Sequence, residues 1–144
     1  GKGAHLDYKS VLEDFPAQYR GKTFPALPYT AWQLLEHLRL AQWDILEFSR
    51  DEKHLSPKWP EGYWPSETAP PDEQAWDDSV NKFLSDLKAM QELVNDSSTN
   101  LYQKIPHGSG QNILREAILV IDHNAYHLGQ LVMLRKVFEG TNNA

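Results

Sequence analysis

Two histidines four residues apart, His123 and His127, are the side chains whose type and spacing point most directly to chemistry. On a helix, positions i and i+4 lie one above the other with Cβ atoms about 6 Å apart, so the two imidazoles can chelate one metal ion. A pair is a two-point site and needs a third ligand. Without one, His-x-x-x-His also arises on ordinary helices, and a single histidine on an apolar face is more often a hydrogen-bonded core residue. The third candidate is His37, one turn from Leu34 and Ala41 on a second apolar seam and therefore able to point at a neighbouring helix. Three imidazoles from two helices leave at least one position of a divalent ion to water or substrate, the layout of a catalytic rather than a closed structural centre. All-nitrogen ligation suits zinc, nickel, copper or iron, and raw affinity does not choose among them. The chain has no cysteine, so thiolate ligands and disulfides are excluded. An ordinary imidazole pKa of about 6.5 predicts that metal affinity weakens as pH falls from about 6 to 5.

Ligand rings need partners that orient them. Asp122, Glu36 and Asp44 are the candidate carboxylates; Asp44 follows His37 by seven residues and shares its face, about 10 Å along the axis. Each is more often a solvated helix residue than a partner of a ligand. Asn124 and Tyr126 flank the ligands but by helical angle point away from the pair's face. Of the remaining histidines, His5 lies in a Gly-rich start and reads as a surface residue. His54 begins a polar loop with no partner at metal spacing. His107, in Pro106-His107-Gly108, could line the mouth of a site but reads as an exposed loop residue.

The elements that must hold these residues follow from apolar periodicity. Residues 110–139 carry Ile113, Leu114, Ala117, Ile118, Val120, Ile121, Leu128, Leu131, Val132 and Leu134 without a Pro, which predicts one long, mostly buried helix. Ser109 and Gly110 would cap its start and Gly140 its end. Residues 30–50 open with Thr30 and Gln33 in the form of a capping box and continue with Leu34, Leu38, Ala41, Ile45 and Phe48 at bundle spacing. Residues 72–96 form a third helix striped by Trp76, Val80, Phe83, Leu84, Leu87, Met90 and Val94; it has no histidine and serves as scaffold. A short helix over residues 8–15, capped by Asp7, ends at Pro16, and the Pro- and Gly-rich stretch to Pro28 reads as a surface loop. The connection over residues 51–71 holds five prolines yet also Trp59, Tyr63 and Trp64, which predicts a packed, ordered loop. It is long enough to run back along a helix, so the helices before and after it can be parallel and the last helix antiparallel to both. That arrangement brings His37, His123 and His127 to a similar depth.

These stretches resemble the DinB-like metal-binding four-helix bundles. The similarity is carried by Trp-x-Leu-Leu-Glu-His from Trp32 to His37, Trp-Pro-x-Gly-Tyr-Trp-Pro from Trp59 to Pro65, and His-Asn-Ala-Tyr-His-x-Gly from His123 to Gly129, and it covers nearly the whole chain. The resemblance implies an all-α bundle, a single domain over residues 1–144, and a divalent metal (zinc, nickel or iron) on His37, His123 and His127. It also implies a bacterial protein of the kind that activates a low-molecular-weight thiol for transfer to an electrophile, as bacillithiol- and mycothiol-using relatives do. Metal-dependent hydrolysis of an amide or ester is an alternative from the same site, and a non-catalytic metal-binding stress protein is another. In that family a longer helix usually comes first, so this bundle is expected to have a shortened fourth wall, a gap that a swapped or homodimeric arrangement would cover.

A formal charge of −6 with scattered Lys and Arg argues against nucleic-acid binding, which needs clustered cations. No apolar run approaches the ~20 residues of a membrane span and no signal peptide is evident, so a cytoplasmic location is the expectation.

Overall fold

Short polar side chains set where each helix begins. In the computed structural model, which describes residues 6–141, the order is α1 (Tyr8–Glu13), a single 3-10 turn at Ala17–Tyr19, α2 (Ala31–Arg50), α3 (Ala75–Asn95) and α4 (Ile113–Thr141), with no strand among the described residues. Asp7 caps α1 by accepting from the Ser10 amide at 2.9 Å. That helix stops at Glu13, short of the expected Phe15, because the residue before a proline is pushed out of helical conformation. Thr30 and Gln33 form the full capping box of α2. Asp72 caps α3 from outside it, accepting from the amides of Gln74 at 2.9 Å and Ala75 at 2.8 Å, so this helix starts three residues later than the periodicity suggested. For α4 the cap is Asn112, which accepts from the Arg115 amide at 2.9 Å, and not Ser109. Gly110, at φ 131°, makes the left-handed turn that precedes it. Gly140 lies inside the helix and does not end it.

Side-chain pairings fix the helix directions. Going up α2, Glu36 meets Ser79, Gln42 meets Phe83 and Leu46 meets Met90, so α2 and α3 run parallel. Against α4 the order reverses: His37 meets His127, Gln42 meets Asn124 and Leu46 meets Val120. The expected parallel pair with an antiparallel last helix is therefore what the chain adopts.

The buried seam of α4 runs through Ile113, Glu116, Val120, Asn124, His127, Leu131, Leu134 and Phe138, at steps of three and four. Three of these are polar, so the chemistry sits in the core stripe itself. The same helix is not buried all round as its sequence suggested: Ile118, Ile121, Tyr126 and Met133 are more than half exposed. On α2 the seam passes through Leu35, Gln42 and Leu46, while Ile45 and Phe48 are only half-buried, because α2 packs against two helices and its stripe drifts between them.

The short α1 and the turn after it close the bundle by inserting Leu12 and Phe15, both buried, against α3, where the Trp76 indole N–H donates to the Leu12 carbonyl at 2.9 Å. Residues 16–28 are more than a surface loop. Tyr19 is buried with its ring 5.3 Å from that of Phe138, and the Arg20 carbonyl accepts from the Trp32 amide at 2.8 Å. His5 falls outside the described residues. No helix among the described residues is long and apolar enough to cross a membrane.

Candidate metal centre

His37 comes from the second turn of α2, and His123 and His127 from the middle of α4. Antiparallel packing of these two helices brings one ring-nitrogen position from each residue to within 4.8 Å of the others. Nε2 of His37 and Nε2 of His123 lie 3.1 Å apart. Ring centroids lie 4.9, 4.6 and 4.6 Å apart, and no two rings are parallel, so their edges and not their faces converge.

Hydrogen bonds at the outer edges assign the protons. Nδ1 of His37 lies 3.1 Å from the Tyr63 carbonyl, which can only accept, so this nitrogen carries the proton and Nε2 is bare. Nδ1 of His127 lies 2.6 Å from Oε1 of Gln130, which leaves its Nε2 bare in the same way. Nδ1 of His123 is buried and has no hydrogen-bond partner among the described residues. Two lone pairs thus point into a space that a third imidazole shares, and such a donor set fits a divalent cation. Ion-to-nitrogen distances are about 2.0–2.1 Å, so nitrogens 3.1 Å apart can reach one ion.

Burial keeps the rings neutral. His37 and His127 are 3% and 7% exposed. Burial, against a raising hydrogen bond from Tyr63 and helped by the other two histidines, lowers the His37 pKa to about 4. Burial and the neighbouring His127 lower that of His123 to about 4 as well. His127 is lowered too, mainly by burial. Neutral rings are the form that binds a metal.

The loop over residues 51–71 forms the roof, as its aromatics suggested. Trp64 stacks on His37 with centroids 3.9 Å apart and planes 6° from parallel, and Tyr29 stacks on Trp64 at 4.1 Å. Tyr63 is buried, but Trp59 is 66% exposed and approaches His37 only edgewise at 6.5 Å. Asp44 anchors this roof. It accepts from the Tyr63 hydroxyl at 2.7 Å and pairs with Nε2 of His54 at 2.7 Å, and burial together with Asp44 pushes the Tyr63 pKa up to about 12.

None of the three candidate carboxylates is seen bonded to a triad ring. Asp44 reaches His37 only through Tyr63. Burial raises the Glu36 pKa, but bonds from Arg39 and Ser79 outweigh it and hold the carboxylate below its ordinary range, turned toward α3. Asp122 is exposed and acts on His123 only through its charge. His54 and His107 lie outside the cluster; His107 bonds the Phe48 carbonyl at 2.7 Å at the end of α2. The partners that do orient the rings, Tyr63 and Gln130, were missed by sequence reasoning. Gln130 could have been found, since it stands i+3 from His127 on the same helix. Tyr63 could not, because it acts through a backbone carbonyl, which every residue has.

Beside the triad, along α4, lies a cavity of about 500 Å³ lined by Leu27, Tyr29, Leu34, Tyr126, Gln130 and Met133 among others. It shares Gln130 with the outer edge of His127.

No curated protein and no solved structure matches the chain. A match does exist at family level, over residues 7–131, which span α1, α2, α3 and all three clustered histidines: the chain belongs to the DinB superfamily.

Proposed function

We propose that His37, His123 and His127 hold one divalent metal ion and that the protein uses it to activate a small thiol for transfer to an electrophile. The convergence of three neutral imidazoles, two of them buried and with their outer nitrogens already engaged, carries the metal reading. An ion held there supplies Lewis acidity, which lowers the pKa of a thiol or water in an open position toward neutrality.

The chain's own residues do the rest. Tyr63 and Gln130 fix the rings from behind, and Trp64 covers the face of His37 against water. The protein has no cysteine, so sulfur chemistry would come from an exogenous thiol. The apolar walls of the neighbouring cavity suit the body of a small organic substrate.

Cobalt substitution tests the reading. Titration of the cobalt-loaded protein with small thiols should add a sulfur-to-metal charge-transfer band in the near ultraviolet. Cobalt that stays bound without such a band would remove the transferase reading and leave metal-dependent hydrolysis or metal binding without turnover.

A further inference from the structure

Asn124, the residue after His123, is one of two buried amides that the metal site as described does not use. Gln42, fully buried on α2, lies with Nε2 2.7 Å from the Phe83 carbonyl on α3. Its Oε1 lies 2.7 Å from Nδ2 of Asn124, itself 1% exposed on α4. Chemistry dictates the order of donors in this chain. The Phe83 carbonyl can only accept, so the NH₂ group of Gln42 must face it and the Gln42 oxygen must face Asn124. The Asn124 NH₂ group must then donate to Gln42, which leaves Asn124 Oδ1 as a buried acceptor without a donor. The other orphan beside it is Nδ1 of the adjacent residue, His123. The two fall short of hydrogen-bond geometry, yet the Asn124 side chain is near enough to raise the ring's pKa against burial. Two buried orphans side by side, one an acceptor and the other able to carry a proton, are each other's remedy.

We propose that Asn124, held by Gln42, is the positioning residue of His123: its Oδ1 accepts a hydrogen bond from Nδ1–H and leaves the Nε2 lone pair facing His37 and His127. This rests on the metal reading above and extends it. All three ligands are then oriented by neutral oxygen acceptors, from Tyr63, Gln130 and Asn124, with no carboxylate involved. A neutral acceptor fixes the tautomer as a carboxylate would but adds no charge, so the ion keeps more of its own.

The experiment is zinc titration by calorimetry into wild-type protein, Asn124→Ala and Asn124→Asp, with ¹⁵N NMR of the histidine rings in the zinc-loaded wild type. Asn124→Ala should weaken zinc binding about 10- to 100-fold. Asn124→Asp keeps an oxygen toward Nδ1 but loses the N–H that bonds Gln42, so it should recover part of that loss, whereas a mere packing role would make a buried acid no better than Ala. In the wild type, His123 should bind zinc through Nε2 and show an Nδ1 proton protected from exchange. Coordination through Nδ1, or an unprotected proton there, overturns the proposal even if both variants fail to fold. Equal zinc affinity in folded Asn124→Ala also overturns it. Wild-type protein that takes up no zinc or other divalent ion would instead overturn the metal reading, and this inference with it.

Discussion

An imidazole serves as a ligand only while it is unprotonated, and burial extends the range over which these three remain so. The sequence alone suggested metal loss between pH about 6 and 5; with His37 and His123 lowered to about 4, the proton competes only further down, and metal retention should persist to pH about 5 and fail toward 4. Dialysis at stepped pH followed by metal analysis would show this, and release complete by pH 6 would contradict it. The same shifts act on the metal-free fold. In the unfolded chain the rings titrate near 6.5, so between about 6.5 and 4 the unfolded state binds more protons than the folded one. Stability should therefore be at its plateau above 6.5, fall as pH drops through that window, and level off below about 4. At ~1.4 kcal/mol per pKa unit the loss amounts to roughly 3 kcal/mol for each of His37 and His123. Chemical denaturation of metal-free protein at several pH values measures it; a flat profile from 7 to 4 would mean that the rings are solvated. Among substitutions, His127→Ala should cost more than about 100-fold in metal affinity, beyond the effect of losing an outer partner. His54→Ala and His107→Ala, whose rings bond Asp44 and the Phe48 carbonyl, should leave affinity near wild type. Calorimetry giving the reverse order would mean that the ligands are other histidines.

At the scale of elements, Thr30 couples α2 to the roof over the site. Its hydroxyl oxygen accepts from the Gln33 amide at 3.2 Å, and its hydroxyl donates to the Thr68 carbonyl at 2.6 Å, while Gln33 donates to the Pro65 carbonyl at 3.2 Å. Thr30→Ala removes the cap and leaves a carbonyl without its donor, so it should destabilise the protein by about 2 kcal/mol. The denaturation midpoint should fall at unchanged slope; a shift below about 0.5 kcal/mol would mean that water replaces the cap without loss. This capping box was legible in the sequence because its two members are three residues apart. So was the triad, since His123 and His127 share a turn and His37 stands on a periodic seam. The start of α4 was misplaced because Ser109, Gly110 and Asn112 all carry turn or cap chemistry, and only the fold selects Asn112. Contacts such as Tyr63 to His37 or Asn124 to Gln42 bridge 26 and 82 residues, and no local pattern encodes them.

For the molecule as a whole, the three histidines lie where the N-terminal part of α2 packs against the middle of α4, between the Tyr63–Trp64 roof and the Gln42–Asn124 layer. An ion bound there would join α2, α4 and, through Tyr63, the loop over residues 51–71, and it would do so only in the folded state, because residues 37 and 127 are brought together by folding alone. Ligation that exists only in the native state stabilises it by mass action, by about 2.7 kcal/mol when free metal is 100 times Kd. At roughly 2–4 °C per kcal/mol for a chain of this size, the melting temperature should rise by about 5–10 °C on saturation. The rise should scale with the logarithm of free metal, vanish in His37→Ala and His127→Ala, and survive in His54→Ala. Differential scanning calorimetry at graded zinc concentrations gives the comparison. A wild-type melting temperature indifferent to zinc, nickel and iron would mean that no ion bridges α2 and α4, and the convergence of the rings would then be a property of core packing.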